Sequence, residues 1–120
     1  MRKHSLKPLP TLKRKADRML QDWYRAEYPN EKCEGCGGQF NIMHHFIEKS
    51  RSTFLRYHEK NLIFLCHKCH ALHHNFGDTT VMGRVILARG KEWFGWIEKM
   101  KRISVPLDRQ LLEKQLIRYQ

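Results

Sequence analysis

The chain is 120 residues long, carries 23 Lys and Arg against 12 Asp and Glu for a net charge of +11, and contains four cysteines. That length supports one hydrophobic core with extensions rather than two, and nowhere is there a run of about 18 apolar residues to span a membrane. Met1 to Lys15 is basic without the apolar stretch of a signal peptide, which predicts a reduced, cytoplasmic setting and speaks against a disulfide-stapled secreted domain.

In chain order, residues 1–10, with Pro8 and Pro10, read as a basic flexible arm, and residues 11–120 as a single domain. From Thr11 to Tyr28 the apolar residues Leu12, Ala16, Met19, Leu20 and Trp23 recur at three- and four-residue steps. That is an amphipathic helix with Thr11 as its cap and Pro29-Asn30 as its stop. Cys33-Glu-Gly-Cys36-Gly-Gly is a turn whose glycines let backbone amides approach the sulfurs. Gln39 to Ile47 reads as a strand carrying His44 and His45. A polar loop from Glu48 follows, then a second strand, Leu62 to Leu65, delivers the chain to Cys66. Cys69 to Asn75 forms a short helix ending before Gly77. Residues 79–102 are helical around a break at Gly90, with Val81, Val85, Ile86, Trp93, Trp96 and Ile97 as the packing face. A last helix runs from Leu107 to Tyr119, with Pro106 in its first turn. The expected class is α+β: a small zinc-stapled core over residues 33–76, with basic helices on both flanks.

The charge sits on those flanks. Residues 1–27 hold eight Lys and Arg against three acids and residues 84–120 nine against four, while the stretch between is nearly balanced at six against five. Such flanks suit a polyanion, because each neutralised phosphate releases counterions. The plainer alternative is charge on solvated helix faces.

Cys33, Cys36, Cys66 and Cys69 make two Cys-x-x-Cys knuckles separated by 29 residues. Each knuckle offers two thiolates at tetrahedral spacing, and two knuckles close the shell of a structural zinc. A core this short needs such a staple, since its apolar burial roughly cancels the entropy of ordering it. With sulfur at all four positions no site is open to substrate, so this zinc holds shape only. His67, inside the second knuckle, is not needed as a ligand.

His70 and His74 lie four residues apart on one helix face, as two ligands of one ion must. His70 and His73 are also close enough, and spacing alone does not choose between them. A third ligand has to come from the His44-His45 pair. Adjacent residues on a strand face opposite sides, so one of the pair can bind a metal while the other approaches a substrate. His4 and His58 read as incidental.

Met43-His44-His45-Phe46-Ile47, then Asn61-Leu62-Ile63-Phe64-Leu65-Cys66, then Cys69-His70 and His74, resemble the HNH endonuclease family and its ββα-metal motif over residues 33–74. The resemblance implies DNA as partner and His44 as first metal ligand. It makes His45 the general base, Asn61 the brace of the loop that orients the base, and His70 and His74 the remaining ligands. Many members carry Asp in place of His44 and Asn in place of His70, so the all-histidine set looks like that of the colicin-like nucleases. Three imidazoles favour Zn²⁺, Ni²⁺ or Mn²⁺ over Mg²⁺ as the catalytic ion. An ordinary imidazole pKa of about 6.5 suits His45 to its role. Arg51 and Arg56, between the strands, are candidates to hold phosphate or else solvated loop residues. A weaker resemblance to phage NinG-type recombination proteins lies in the first helix and in Leu55 to Asn61. It implies a bacteriophage origin and packaging or recombination proteins as partners. No heptad run is present, which suggests a monomer or weak dimer that nicks DNA. The rivals are a nuclease acting on branched DNA and a non-catalytic zinc module that binds nucleic acid.

Overall fold

The computed structural model describes residues 7–77 and 79–120. The first six residues of the expected arm lie outside the described residues.

Helix α1 spans Leu9–Glu27, beginning two residues ahead of the expected cap at Thr11. Pro8 takes the cap position and Pro10 falls in the first turn, where a missing N–H and a fixed φ cost nothing. No side chain caps this helix. Leu12, Ala16, Leu20 and Tyr24 recur every fourth residue and are its buried stripe.

Two strands pair antiparallel: β1 (Ile42–His45) and β2 (Leu62–Leu65), with Met43 opposite Phe64 and His44 opposite Ile63. β1 is shorter than the expected 39–47 at both ends. Gln39 instead bridges back to Lys32 around the first knuckle. Beyond His45, Phe46 donates to the Asn61 carbonyl at 2.8 Å and Ile47 to the Asn61 side-chain Oδ1 at 2.8 Å, which turns the chain off the ladder.

The sheet has an apolar face on each side, as a two-residue period requires. Met43 and Leu62 join Leu12, Ala16, Leu20 and Tyr24 of α1 in one cluster. Ile63 and Leu65 join Cys33, Cys69, Val81 and Val85 in the other. His44 therefore points away from α1, and His45 toward it.

Between the strands, where a polar loop was expected, lie a one-turn helix α2 (Thr53–Arg56) and a 3-10 turn, Glu59–Asn61. The Ser52 hydroxyl caps α2 by accepting from the Leu55 amide at 3.1 Å. Helix α3 (His67–Phe76) starts immediately after Cys66, whose sulfur caps it, and ends at Gly77 with a φ of 64°. That left-handed turn is the usual glycine stop. Helices α4 (Thr80–Arg89) and α5 (Lys91–Met100) divide at Gly90, as expected. Helix α6 (Arg109–Arg118) starts later than expected, capped by the Asp108 carboxylate accepting from the Leu111 amide at 2.9 Å. Pro106 thus stays outside it. α6 runs back along α1, where Tyr119 meets Trp23 at 5.5 Å between ring centroids.

Several flanking cations are fasteners rather than surface charge. Arg84 of α4 donates to the Gly35 carbonyl at 2.8 Å. Arg89 forks onto Glu34 at 2.7 and 2.8 Å and also reaches the Leu62 carbonyl at 3.0 Å. Together they bind α4 to the first knuckle and to β2. No helix among the described residues is long and apolar enough to cross a membrane.

Candidate active site

The two knuckles converge. The sulfurs of Cys33, Cys36, Cys66 and Cys69 all lie within 4.8 Å of one another, and Cys36 and Cys66 are 3.7 Å apart. Four thiolates around one zinc, at about 2.3 Å each, stand about 3.8 Å apart, so the cluster can hold that ion. Amides already point at the sulfurs: Gly35 donates to Cys33 and Cys69 to Cys66, both at 3.3 Å. Burial alone would raise the Cys66 thiol, but the Cys69 amide and the neighbouring thiols outweigh it and bring it down to about 7. Gly35 has no room for a side chain, because a Cβ there would meet the Cys69 sulfur at 3.0 Å and Val81 at 3.1 Å.

A second cluster forms on the same side of the sheet. The ring nitrogens of His44, His70 and His74 lie within 4.8 Å of one another. His73 also approaches His44, at 4.9 Å between ring centroids, but is not one of that three-nitrogen group. His44 is only 4% exposed, and its Nε2 is buried without a hydrogen-bond partner. A buried ring nitrogen with nothing to bond to is costly, and a divalent cation shared with His70 and His74 would satisfy it. Burial first, then the neighbouring charges of His73, His70 and His74, lower the His44 pKa to about 3. The ring is thus kept neutral, the form that binds a metal.

His45 lies across the strand. Its Nε2 is 2.8 Å from the carbonyl oxygen of Arg56. A carbonyl oxygen only accepts, so Nε2 carries the hydrogen and Nδ1 keeps its lone pair. Its pKa is not the ordinary value expected from sequence. Burial first, and then the charge of Lys49, lower it to about 4, while the Arg56 carbonyl and Asp17 pull the other way. At neutral pH His45 is therefore a neutral ring with its one hydrogen on Nε2.

Asn61 is fully buried, and all of its amide is used. Oδ1 accepts from the Ile47 amide, while Nδ2 donates to the carbonyls of Ile47 and Leu55, both at 3.1 Å. It ties both ends of the segment between His45 and α2 to the start of β2. Arg56, a sequence candidate for holding phosphate, is neither free nor solvated. It is 7% exposed and pairs with Asp17 of α1 at 2.7 Å. Arg51 is exposed, as a solvated loop residue would be.

His44, His45, His70, His74 and Arg56 open onto one groove of about 780 Å³, whose far wall is α1. Asp17, Arg18 and Gln21 line it opposite His44, His45, His70 and His74. None of the three α1 residues was visible as a site residue from sequence. The available signal was their position beside the Ala16, Leu20 and Tyr24 stripe, which makes them the rim of a packed face. Gln21 uses its amide twice on β1, donating to the Met43 carbonyl at 2.8 Å and accepting from the Met43 amide at 2.9 Å.

With two metal-ligand clusters, a neutral histidine and a buried, fully bonded asparagine described, the chain can be compared with known families. Residues 33–76 match the HNH endonuclease family. The HNH segment contains both cysteine knuckles, both strands and α3, and leaves α1, α4, α5 and α6 outside. Members are generally nucleases that use a divalent metal, and such a domain implies DNA as substrate. No curated protein and no solved structure matches the chain. The resemblance to NinG-type proteins thus rests on the first helix and residues 55–61 alone.

Proposed function

We propose that the chain is a metal-dependent endonuclease that hydrolyses DNA phosphodiester bonds one strand at a time. The observation that carries this reading is the meeting, across one strand of the sheet, of an orphaned His44 nitrogen beside His70 and His74 with a His45 ring whose Nδ1 lone pair is free. His44, His70 and His74 would hold the divalent ion, which when bound supplies Lewis acidity to the phosphate and the departing oxygen.

The chain's own residues do the rest. His45 takes a proton from water at Nδ1 as the water oxygen forms its bond to phosphorus and the bond to the 3′ oxygen breaks. The 3′ oxygen leaves with a proton from solvent, giving a 5′-phosphate and a 3′-hydroxyl. The Arg56 carbonyl keeps the His45 hydrogen on Nε2, and Asn61 keeps the segment bearing that carbonyl in place. Arg18, on the groove wall, is exposed and suited to a backbone phosphate. The cysteine cluster holds a structural zinc and takes no part in the chemistry.

The test is supercoiled plasmid incubated with the zinc-loaded chain across Mg²⁺, Mn²⁺, Ni²⁺ and Zn²⁺, with His45→Ala alongside. Open circle should appear before linear DNA, and a ligase should reseal it. Equal cleavage by wild type and His45→Ala would end the proposal.

A further inference from the structure

Asp17 reaches from α1, outside the HNH segment, across the groove wall to the side chain of Arg56, which lines the same groove. Its carboxylate holds the Arg56 guanidinium at 2.7 Å. Arg56 also donates through Nε to the Tyr57 hydroxyl at 3.2 Å, and that hydroxyl donates back to Asp17 at 3.4 Å. The three side chains therefore close a ring that fixes the C-terminal end of α2. The carbonyl of that same Arg56 is the one that orients His45, and the carbonyl just before it, of Leu55, is held by Asn61.

We propose that Asp17 is a positioning residue for His45, acting through the Arg56 guanidinium to hold the carbonyl that fixes the His45 tautomer. This rests on the nuclease reading for its effect on rate, though not for its effect on the ring. Two ties hold the two carbonyls at the end of α2. Asn61 acts from within the HNH segment, and Asp17 acts from a helix that segment lacks. A one-turn helix has no stability of its own, so its last carbonyl stays in place only as far as its side chains are anchored. Without Asp17, the Arg56 cation is buried beside no anion and has to move outward. The carbonyl moves with it, and His45 Nε2 loses its acceptor.

The ring can be read directly. Nitrogen-15 NMR of the zinc-loaded full chain, with the His45 signals identified by their loss in His45→Ala, should show one protonated Nε2 and one bare Nδ1 in wild type. In Asp17→Asn, which keeps the shape and removes the charge, the two nitrogens should move toward the averaged pattern of a ring exchanging between tautomers. The turnover number should fall on the order of 10²-fold, the scale of a misplaced catalytic group, with no rise in KM for DNA. Asp17→Glu should recover part of both.

If Asp17 only shapes the field of the groove, its loss would lower KM and leave the nitrogens unchanged, which overturns the proposal. A lowered melting temperature with the wild-type nitrogen pattern overturns it as well. If wild type cuts no DNA, the nuclease reading fails on that result alone, and the nitrogen pattern still decides the role of Asp17. Should Asp17→Asn fail to fold, Arg56→Lys, which keeps the cation but loses the fork, is expected to give the same averaged pattern, and a fixed pattern there would refute the idea.

Discussion

At His45 a neighbouring carbonyl decides which ring nitrogen carries the proton, and burial decides that only one does. His44, one residue earlier, is kept neutral by burial and by the charges of His73, His70 and His74. Both rings take a proton readily once the chain unfolds but resist it in the fold. Their contribution to stability is therefore complete above about pH 6.5. It is lost as pH falls toward about 4 for His45 and about 3 for His44. Over that window each ring adds a slope approaching about 1.4 kcal/mol per pH unit. Without a metal on the histidines, wild type should lose more melting temperature between pH 7 and pH 5 than His45→Ala does. Identical losses would mean that His45 titrates alike in both states. At neutral pH the same variant should keep its DNA affinity while cleavage falls by about 10²- to 10⁴-fold, the usual share of a general base.

At the scale of elements, the first knuckle and α4 touch through Gly35, where a methyl group would press on the Cys69 sulfur and on Val81. Gly35→Ala should cost about 1–3 kcal/mol, as overpacking does, and should speed zinc loss to a chelator. Thermal unfolding and a zinc-release assay measure the two together, and a variant with wild-type zinc retention would show that the knuckle can shift to make room. Local patterns such as these were legible in the sequence. The cysteine spacing marked the knuckles, Leu62 to Leu65 marked β2, and Gly77 and Gly90 marked the ends of α3 and α4. What escaped is of two kinds. α2 is a single turn held by the Ser52 cap, by burial of Leu55 and by the Asn61 and Asp17 contacts, so no periodicity announces it. The Arg56 carbonyl meets His45 across 11 residues and Asp17 meets Arg56 across 39, and a backbone oxygen has no signature in a sequence. Arg56 was misjudged for the same reason: a lone arginine in a polar stretch looks solvated until its buried partner is found.

For the whole molecule, the charge of +11 overstates what DNA can use. Arg56, Arg84 and Arg89 are committed to Asp17, Gly35 and Glu34. Arg25, Lys49 and Lys101 have partners as well, in Asp22 and the Asn41 carbonyl, in Asp17 and in Glu98. If about six of the remaining cations meet phosphates, the log-log salt slope of binding should be near −5. Arg18→Ala should reduce that slope by about 0.9, the value of one phosphate contact. Arg84→Ala should leave the slope alone and lower the melting temperature instead. Binding isotherms over a salt series and thermal melts distinguish them, and a slope that responds to Arg84 would return that residue to the DNA surface.

A sheet of two strands has two open edges, and the outer edge of β1 is a row of backbone groups ready to pair with another chain. Gln21 closes it by taking both the amide and the carbonyl of Met43. The helix that walls the groove therefore also covers that edge. Whatever loosens α1 exposes a sticky strand at the moment it opens the site, so inactivation on warming should be accompanied by light scattering and be hard to reverse. Gln21→Ala should bring on that turbidity at a lower temperature than wild type, even where circular dichroism still finds most of the helix intact.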